Sequence, residues 1–290
     1  DRLRMARAVR FAASLGFTIE EGTFRAIQEQ APTMTQVCCE RIGDEGTRIL
    51  TEGEAKRGFE LPDETHLLQV IFPEIEAMKG VDQSPDFHPE GDVFVHTLLT
   101  LGHLSQISNL KSQISESLAY GCLLHDIAKP ACVKREGGRI TFYGHSEKGA
   151  EMAVEILKRL KRSGAVWERV AYLVKHHLRH TQAPKMRLST LKRFLGEEGI
   201  EELLELTRID ALSANGDLRY YHFCKQKMAE LKHEEIHPEP LLRGKDLIAM
   251  GFSPGPLFHT ILKEIEEAQL EGEIQTREQA VERVTRQYKR

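Results

Sequence analysis

The stretch ESLAYGCLLHDIAKP, residues 116–130, decides how this chain reads. Leu118, Cys122 and His125 recur at spacings of four and three, which places them on one face of a helix. Asp126 is the next residue round, Lys129 lies one turn beyond His125 and beside Asp126, and Pro130 is expected to stop the helix. Two ionisable side chains therefore interrupt an otherwise strongly apolar helix. Burying an unpaired carboxylate is costly, and metal coordination is one of the few ways to offset that cost.

Further groups of the same kind lie on either side. His96 sits in FVHTLLTLGHL (94–104), where apolar residues surround it on nearly every side, as in a buried helix. His145 and the pair His176-His177 follow, and in ELLELTRIDAL (202–212) Asp210 shares a face with Leu203 and Leu206. The order is H…HD…H…HH…D, each member in a segment patterned as a helix. Imidazole nitrogen and carboxylate oxygen are preferred ligands of divalent first-row metals, and such a metal lowers the pKa of bound water and polarises a phosphate. Phosphoester hydrolysis is the chemistry this set suggests first. Singly, each histidine reads as a core residue hydrogen-bonded to backbone, and Asp210 as a partner of Arg208 or Arg219. The weight lies in the ordered set. His88, His103, His180, His222, His237 and His259 are read as structural.

The order H…HD…D, centred on LLHDIAKP (123–130), resembles the HD superfamily of metal-dependent phosphohydrolases. The resemblance implies an all-helical fold and a metal held by His96, His125, Asp126 and Asp210. The additional H…HH implies a second metal, with Asp126 bridging and His145 and His176, together with His177, completing its site. One or two divalent ions are expected, with nickel, manganese, cobalt, iron, zinc and magnesium all open. Asp126 and Lys129 are the candidate catalytic residues. Lys129 would meet a phosphate oxygen, with a surface ion pair as the competing reading.

The wider sequence sharpens the family. DRLRMARAVRFAASLGF (1–17) followed by ERIGDEGTRIL (40–50) closely resembles the neck of bacterial class II CCA-adding enzymes, the tRNA nucleotidyltransferases and their poly(A) polymerase relatives. The match continues through FHPEGDVFVHTLLTL (87–101), GRITFYGHSEKGAEMA (138–153) and MRLSTLKRFL (186–195) to the tail-like segment 241–281. In that family a separate head, with a Gly-Ser or Gly-Gly turn and Asp-x-Asp carboxylates, transfers nucleotides. No such element occurs in these 290 residues, so nucleotidyl transfer is expected only with such a head present. Asp1 and Arg4 match the D and R of the family's E-D-x-x-R motif, which implies contact with the base of an incoming CTP or ATP. In the competing reading, Arg2, Arg4, Arg7 and Arg10 form a solvated basic stripe.

A formal net charge of −4 argues against an indiscriminate nucleic-acid binder, yet leaves room for local basic tracks. LKRLKRS (157–163) and KMRLSTLKRF (185–194) supply Lys158, Arg159, Lys161 and Arg162, then Lys185, Arg187, Lys192 and Arg193, as candidates for tRNA phosphates. No aromatic RNA-binding motif supports base stacking. The five cysteines form no C-x-x-C pair, which argues against disulfides and zinc knuckles. With no signal peptide or membrane-length apolar run, a cytoplasmic protein without membrane association is expected.

The expected architecture is all-α, with at most one short β-hairpin around Gly137-Gly138 in PACVKREGGRITFYGH (130–145). A helical neck is placed at 1–61, broken by Gly16, Pro32 and Gly53. The HD region is placed at 62–225, and a helical tail at 226–290. The expected function is metal-dependent hydrolysis of a phosphomonoester or 2′,3′-cyclic phosphodiester in tRNA 3′-end processing or repair. The alternative is a non-catalytic tRNA-binding body whose metal only adds folding free energy.

Overall fold

A computed structural model describes residues 1–108, 114–231, 236 and 238–288. These are helical apart from one antiparallel hairpin, Lys134–Glu136 against Arg139–Thr141, with Lys134 opposite Thr141 and Glu136 opposite Arg139. Its two-residue turn is Gly137-Gly138, at φ 56° and 75°, the left-handed pair that a tight hairpin of this length requires. Within the described residues the fold class is all-α.

The chain divides into two compact units, Asp1–His180 with Glu201–Leu218, and Thr181–Ile200 with Arg219–Arg290. The neck segment and all members of the His/Asp set fall in the first. Its central helix is Glu116–Leu124, apolar all round and buried from Leu118 to Leu124. Ser115 starts it, the hydroxyl accepting from Leu118 N at 3.0 Å. The helix Val93–Ser108 packs beside it and begins on Asp92, whose Oδ1 accepts from Val95 N at 2.8 Å and whose Oδ2 accepts from Gly80 N at 2.7 Å. The helices His145–Arg159 and Gly164–His176 pack against one another, and the second of them packs on Glu116–Leu124. Gly149 permits the close approach: a Cβ there would lie 3.1 Å from Val174 Cγ1.

One expectation is corrected. The central helix ends at Leu124, so His125 and Asp126 lie in the turn that follows rather than inside a helix. Pro130 does not stop that helix; it stands in the first turn of the short helix Lys129–Cys132, where its missing N–H costs nothing.

The neck is tied to this body by polar groups that composition alone suggested for other work. The buried Tyr120 hydroxyl meets Thr47 Oγ1 at 3.0 Å, and Arg162 donates to Asp44 at 2.8 Å and to Glu40 O at 3.3 Å. Arg159 forms a two-pronged pair with Glu74 at 2.6 and 2.9 Å. Lys158 sits over the Trp167 ring. In the second unit Lys192 is buried, donating to Leu270 O at 3.0 Å, while Arg193 pairs with Glu266 at 3.4 Å. That unit's core includes Leu242, Leu247, Ile261, Ile265 and Val284. Half of the eight basic side chains proposed for RNA thus already have carboxylate or carbonyl partners. Among the described residues no helix is long and apolar enough to cross a membrane.

The basic stripe of the first helix, Leu3–Leu15, is likewise only partly solvated. Arg7 and Arg10 both donate to the buried Glu45, at 2.9 and 2.7 Å. Burial alone would raise the Glu45 carboxyl, but the hydrogen bonds and charges of Arg10 and Arg7 hold it below the ordinary glutamate value. A lowered folded-state pKa means stability that is present above the unfolded-state value and lost as pH falls through the folded one. Glu45→Ala, which strips the buried Arg10 of its carboxylate, is expected to cost about 1.5–3 kcal/mol at pH 7, the range for a hydrogen bond to a charged group. Urea unfolding at pH 7 and at pH 3.5 checks this: the wild-type advantage should shrink at the lower pH, and an equal difference at both would assign it to packing instead.

Candidate metal centre

Four imidazoles and two carboxylates converge at the bottom of the first unit. His96, His125 and Asp210 form one group and Asp126, His145 and His177 a second, the offered atoms of each lying within 4.8 Å of one another. His96 Nε2 is 3.2 Å from His125 Nε2 and 3.0 Å from Asp210 Oδ1. His145 Nε2 is 3.4 Å from His177 Nε2. Asp126 joins the groups. Its Oδ2 lies 3.3 Å from His125 Nε2 and 4.0 Å from His96 Nε2, while its Oδ1 lies 3.5 Å from His145 Nε2 and 3.9 Å from His177 Nε2.

The second nitrogen of each ring settles what these atoms offer. His125 Nδ1 is 3.0 Å from Cys122 O, His145 Nδ1 is 2.7 Å from Phe142 O, and His177 Nδ1 is 2.7 Å from Val174 O. A carbonyl oxygen only accepts, so Nδ1 carries a proton, and the lone pair that the ring can offer a metal is the one at Nε2. Each carbonyl belongs to the residue three positions earlier. For His125 and His177 it lies in the last turn of a helix, where carbonyls lack intrahelical partners. His96, inside its own helix, instead donates from Nδ1 to Glu90 Oε1 at 2.6 Å. The donor set, inward lone pairs plus carboxylate oxygens in two groups sharing Asp126, fits one or two divalent cations.

Of the pair His176-His177, only His177 enters these groups. His176 packs on Tyr172, with ring centroids 4.9 Å apart. Lys129 is not on the surface: it is buried, its Nζ 2.7 Å from Asp126 Oδ2, donating to Gln83 Oε1 at 2.6 Å. Asp1 and Arg4 stand far along the chain, at the exposed start of the first helix. There Asp1 accepts from Leu3 N at 3.2 Å and from Arg41 at 3.3 Å.

Two participants escaped the sequence reading. His88, read as structural, donates to Glu90 Oε1 at 2.8 Å and meets the His96 ring edge-on with centroids 4.8 Å apart. Glu90 stands in HPEGD, where an acid six residues before His96 in a Pro-Gly turn gives no periodic signal. His180 is buried and donates to His177 O at 2.9 Å, outside both groups. His237 lies outside the described residues.

Charge is tightly balanced here. Burial would lower the His96 imidazolium, yet its hydrogen bonds to Asp210 and Glu90 and the charges of Asp210 and Asp126 bring it up to about 9. Burial takes His177 down to about 4, so it stands neutral near pH 7. Burial would raise Asp126 and Asp210, but Lys129 and His125 hold the first, and His96 and His125 the second, well below the usual carboxylate range. An open cleft of about 330 Å³ leads from solvent to Asp126, Lys129, His145, His177 and Asp210.

Comparison with known proteins agrees with this architecture. Residues 16–79 match the family model described as "Probable RNA and SrmB-binding site of polymerase A", and residues 93–215 match the HD domain. The A-adding tRNA nucleotidyltransferase of Deinococcus radiodurans is 32% identical over 97% of this chain and 67% of its own. The chain belongs to the tRNA nucleotidyltransferase family. The CC-adding enzyme of Thermus thermophilus is also 32% identical, over 97% of the chain and 65% of its own length, so the chain spans about two thirds of these relatives. Among solved structures, a CCA-adding enzyme with CTP superposes with a TM-score of 0.58 at 16% identity, covering 100% of this chain and 60% of that one. The Thermotoga maritima CCA-adding enzyme with tRNA gives 0.51 at 17% identity, covering 99% and 61%. At such identities these two likenesses speak for the fold.

Glu90 orients His96, and outer partners of this kind typically change metal affinity by 10–100-fold. Glu90→Ala is therefore expected to weaken Mn²⁺ or Co²⁺ binding by about that factor, with Glu90→Gln milder because its carbonyl still accepts from Nδ1. Calorimetric titration of metal-stripped protein reads this directly, and wild-type affinity in Glu90→Ala would remove Glu90 from the site.

Proposed function

We propose that this chain is a metal-dependent phosphohydrolase of the HD type that removes a phosphomonoester or opens a 2′,3′-cyclic phosphodiester at a tRNA 3′ end. The observation that carries the reading is the sharing of Asp126 between two groups of tautomer-fixed ligands at the bottom of an open cleft. His96, His125, Asp126 and Asp210 would hold one ion, and Asp126, His145 and His177 the other. Bound divalent cations supply Lewis acidity toward a phosphate and a source of nucleophile near neutral pH. The protein's own groups do the rest. Asp126, with its two oxygens facing different groups, fixes the spacing of the two sites. Lys129 neutralises Asp126 and places an ammonium where phosphate charge must be met. Phe142, with the Lys129 ammonium 5.3 Å from its ring centre, shields that cation from water.

Family membership supports tRNA as the RNA and a cytoplasmic setting. A or CC addition, the activities named for the two bacterial relatives, belongs to polypeptides longer than these 290 residues. For a longer form of this chain the same membership supports that chemistry, with Asp1 and Arg4 toward the incoming base. Basic residues such as Lys161 and Lys185, which have no carboxylate partner among the described residues, are the better candidates for tRNA phosphates.

The test is hydrolysis of 2′,3′-cyclic AMP and p-nitrophenyl phosphate by metal-stripped protein resupplied with Ni²⁺, Mn²⁺, Co²⁺ or Mg²⁺. Turnover should return with at least one metal and fall by at least about a hundredfold in Asp126→Ala, as loss of several kcal/mol of charge stabilisation requires. tRNA binding should survive that substitution. Folded protein that binds metal yet hydrolyses neither compound would overturn the hydrolase reading and favour a tRNA-binding body with a structural metal.

A further inference from the structure

Among the described residues, ten large apolar side chains are exposed, and three of them line the metal cleft: Phe87 at 65%, Tyr143 at 81% and Leu178 at 44%. Each is tied in sequence to the polar cluster beneath. Phe87 precedes His88, in a turn closed by bonds from Phe87 N and His88 N to Ser84 O at 3.1 and 2.8 Å. Tyr143 stands two residues before His145, between the hairpin and Gly144, whose φ of 78° starts the next helix. Leu178 follows His177. Scattered exposed apolar residues need no explanation, but aromatic rings brought from two separate segments to the mouth of one polar cleft do.

A phosphate seated at Asp126 and Lys129 leaves the remainder of its ester at this mouth. We propose that Phe87 and Tyr143 hold the nucleobase of the terminal nucleotide by stacking, and so make the site selective for nucleotide esters over other phosphates without selecting among bases. The proposal rests on the phosphohydrolase reading and adds its specificity element. Stacking suits the residues present: every base has a π-face, so an aromatic platform tolerates all of them. Among the described residues that line the cleft, Tyr143 supplies the phenol, and it is the more exposed of the two rings. Extended single-stranded ends fit such a clamp, whereas a base locked in a duplex does not offer both faces.

The test is calorimetric binding of adenosine 5′-monophosphate, cytidine 5′-monophosphate and ribose 5-phosphate to Mn²⁺-loaded protein. Binding that persists in Asp126→Ala, which reports other sites, is subtracted. Both nucleotides should bind roughly tenfold or more tightly than ribose 5-phosphate and within a few-fold of each other. The double variant Phe87→Ala, Tyr143→Ala should erase that advantage while leaving ribose 5-phosphate unchanged, and Phe87→Tyr with Tyr143→Phe should restore it. Both side chains are exposed, so folding, checked by circular dichroism, is expected to be intact. Equal binding of nucleotides and ribose 5-phosphate by the wild type, or an unchanged ratio in the double variant, overturns the clamp. Tighter binding of both nucleotides than of ribose 5-phosphate by a protein that hydrolyses no phosphoester would keep the clamp and remove the hydrolase reading; turnover by a protein that binds nucleotides and ribose 5-phosphate equally would do the reverse.

Discussion

The site depends on hydrogen bonds between histidine Nδ1 protons and carbonyls three residues back, at His125, His145 and His177. A free imidazole divides its proton between two nitrogens and turns about two side-chain torsions. Here one backbone acceptor removes both freedoms, fixing the tautomer and aiming Nε2 inward. The acceptors exist because the chain turns where it does. The helices ending at Leu124 and His176 leave their last carbonyls without intrahelical partners, and the imidazoles that follow take them up. The ends of helices, rather than their faces, build most of this centre.

That geometry collects charge in a place that would ordinarily refuse it. Buried carboxylates and imidazoles are tolerated when each ionic state is matched, and the matching here is reciprocal. Asp126 stays ionised against Lys129 and His125, whereas His177, with no carboxylate of its own in hydrogen-bond range, stays neutral. His96 bridges Glu90 and Asp210 and holds its proton up to about 9. With a cation bound, Nε2 would be free of that proton, and Glu90 would orient the ring rather than pair its charge. Lys129 has a comparable double tie, to Asp126 and Gln83, which keeps a buried ammonium at the edge of the cleft.

Much of this was legible in the sequence. The His125-Asp126 pair stood out because polar residues broke an apolar run, and Gly16, Pro32, Gly53 and Gly137-Gly138 marked real ends and turns. Asp210 could be read from the face it shares with Leu203 and Leu206. What failed to show had physical reasons. Helical periodicity cannot say which of two adjacent histidines turns inward, because that is decided by where the helix ends; His177 lies just beyond it and His176 within. Glu90 and His88 act from an irregular turn with no period to read. The basic runs carried no sign of their partners, since Glu74, Asp44 and Glu266 are distant in sequence. The aromatic pair at the cleft mouth, Phe87 and Tyr143, comes from segments far apart in the sequence, so no linear motif could reveal it.

Metal binding and the proposed catalysis would draw on the same residues, which is why stability alone does not distinguish an enzyme from a metal-braced scaffold. An ion at His96, His125 and Asp210 would tie the two Nε2 atoms, 3.2 Å apart, to the carboxylate and stabilise the fold whether or not anything reacts there. A purely structural site is normally closed, with its ligands filling the coordination sphere and apolar side chains sealing it. This one is built otherwise. The Asp210 side chain remains 17% exposed, Asp126 and Lys129 line an open cleft, and exposed rings stand at its mouth where a sealing core would have buried them. Leaving large apolar side chains in water forgoes about 1.5–3 kcal/mol for each. A metal site that only braced the fold would gain nothing from that arrangement, whereas the proposed hydrolase, which would admit an ester and release a phosphate, needs an open mouth.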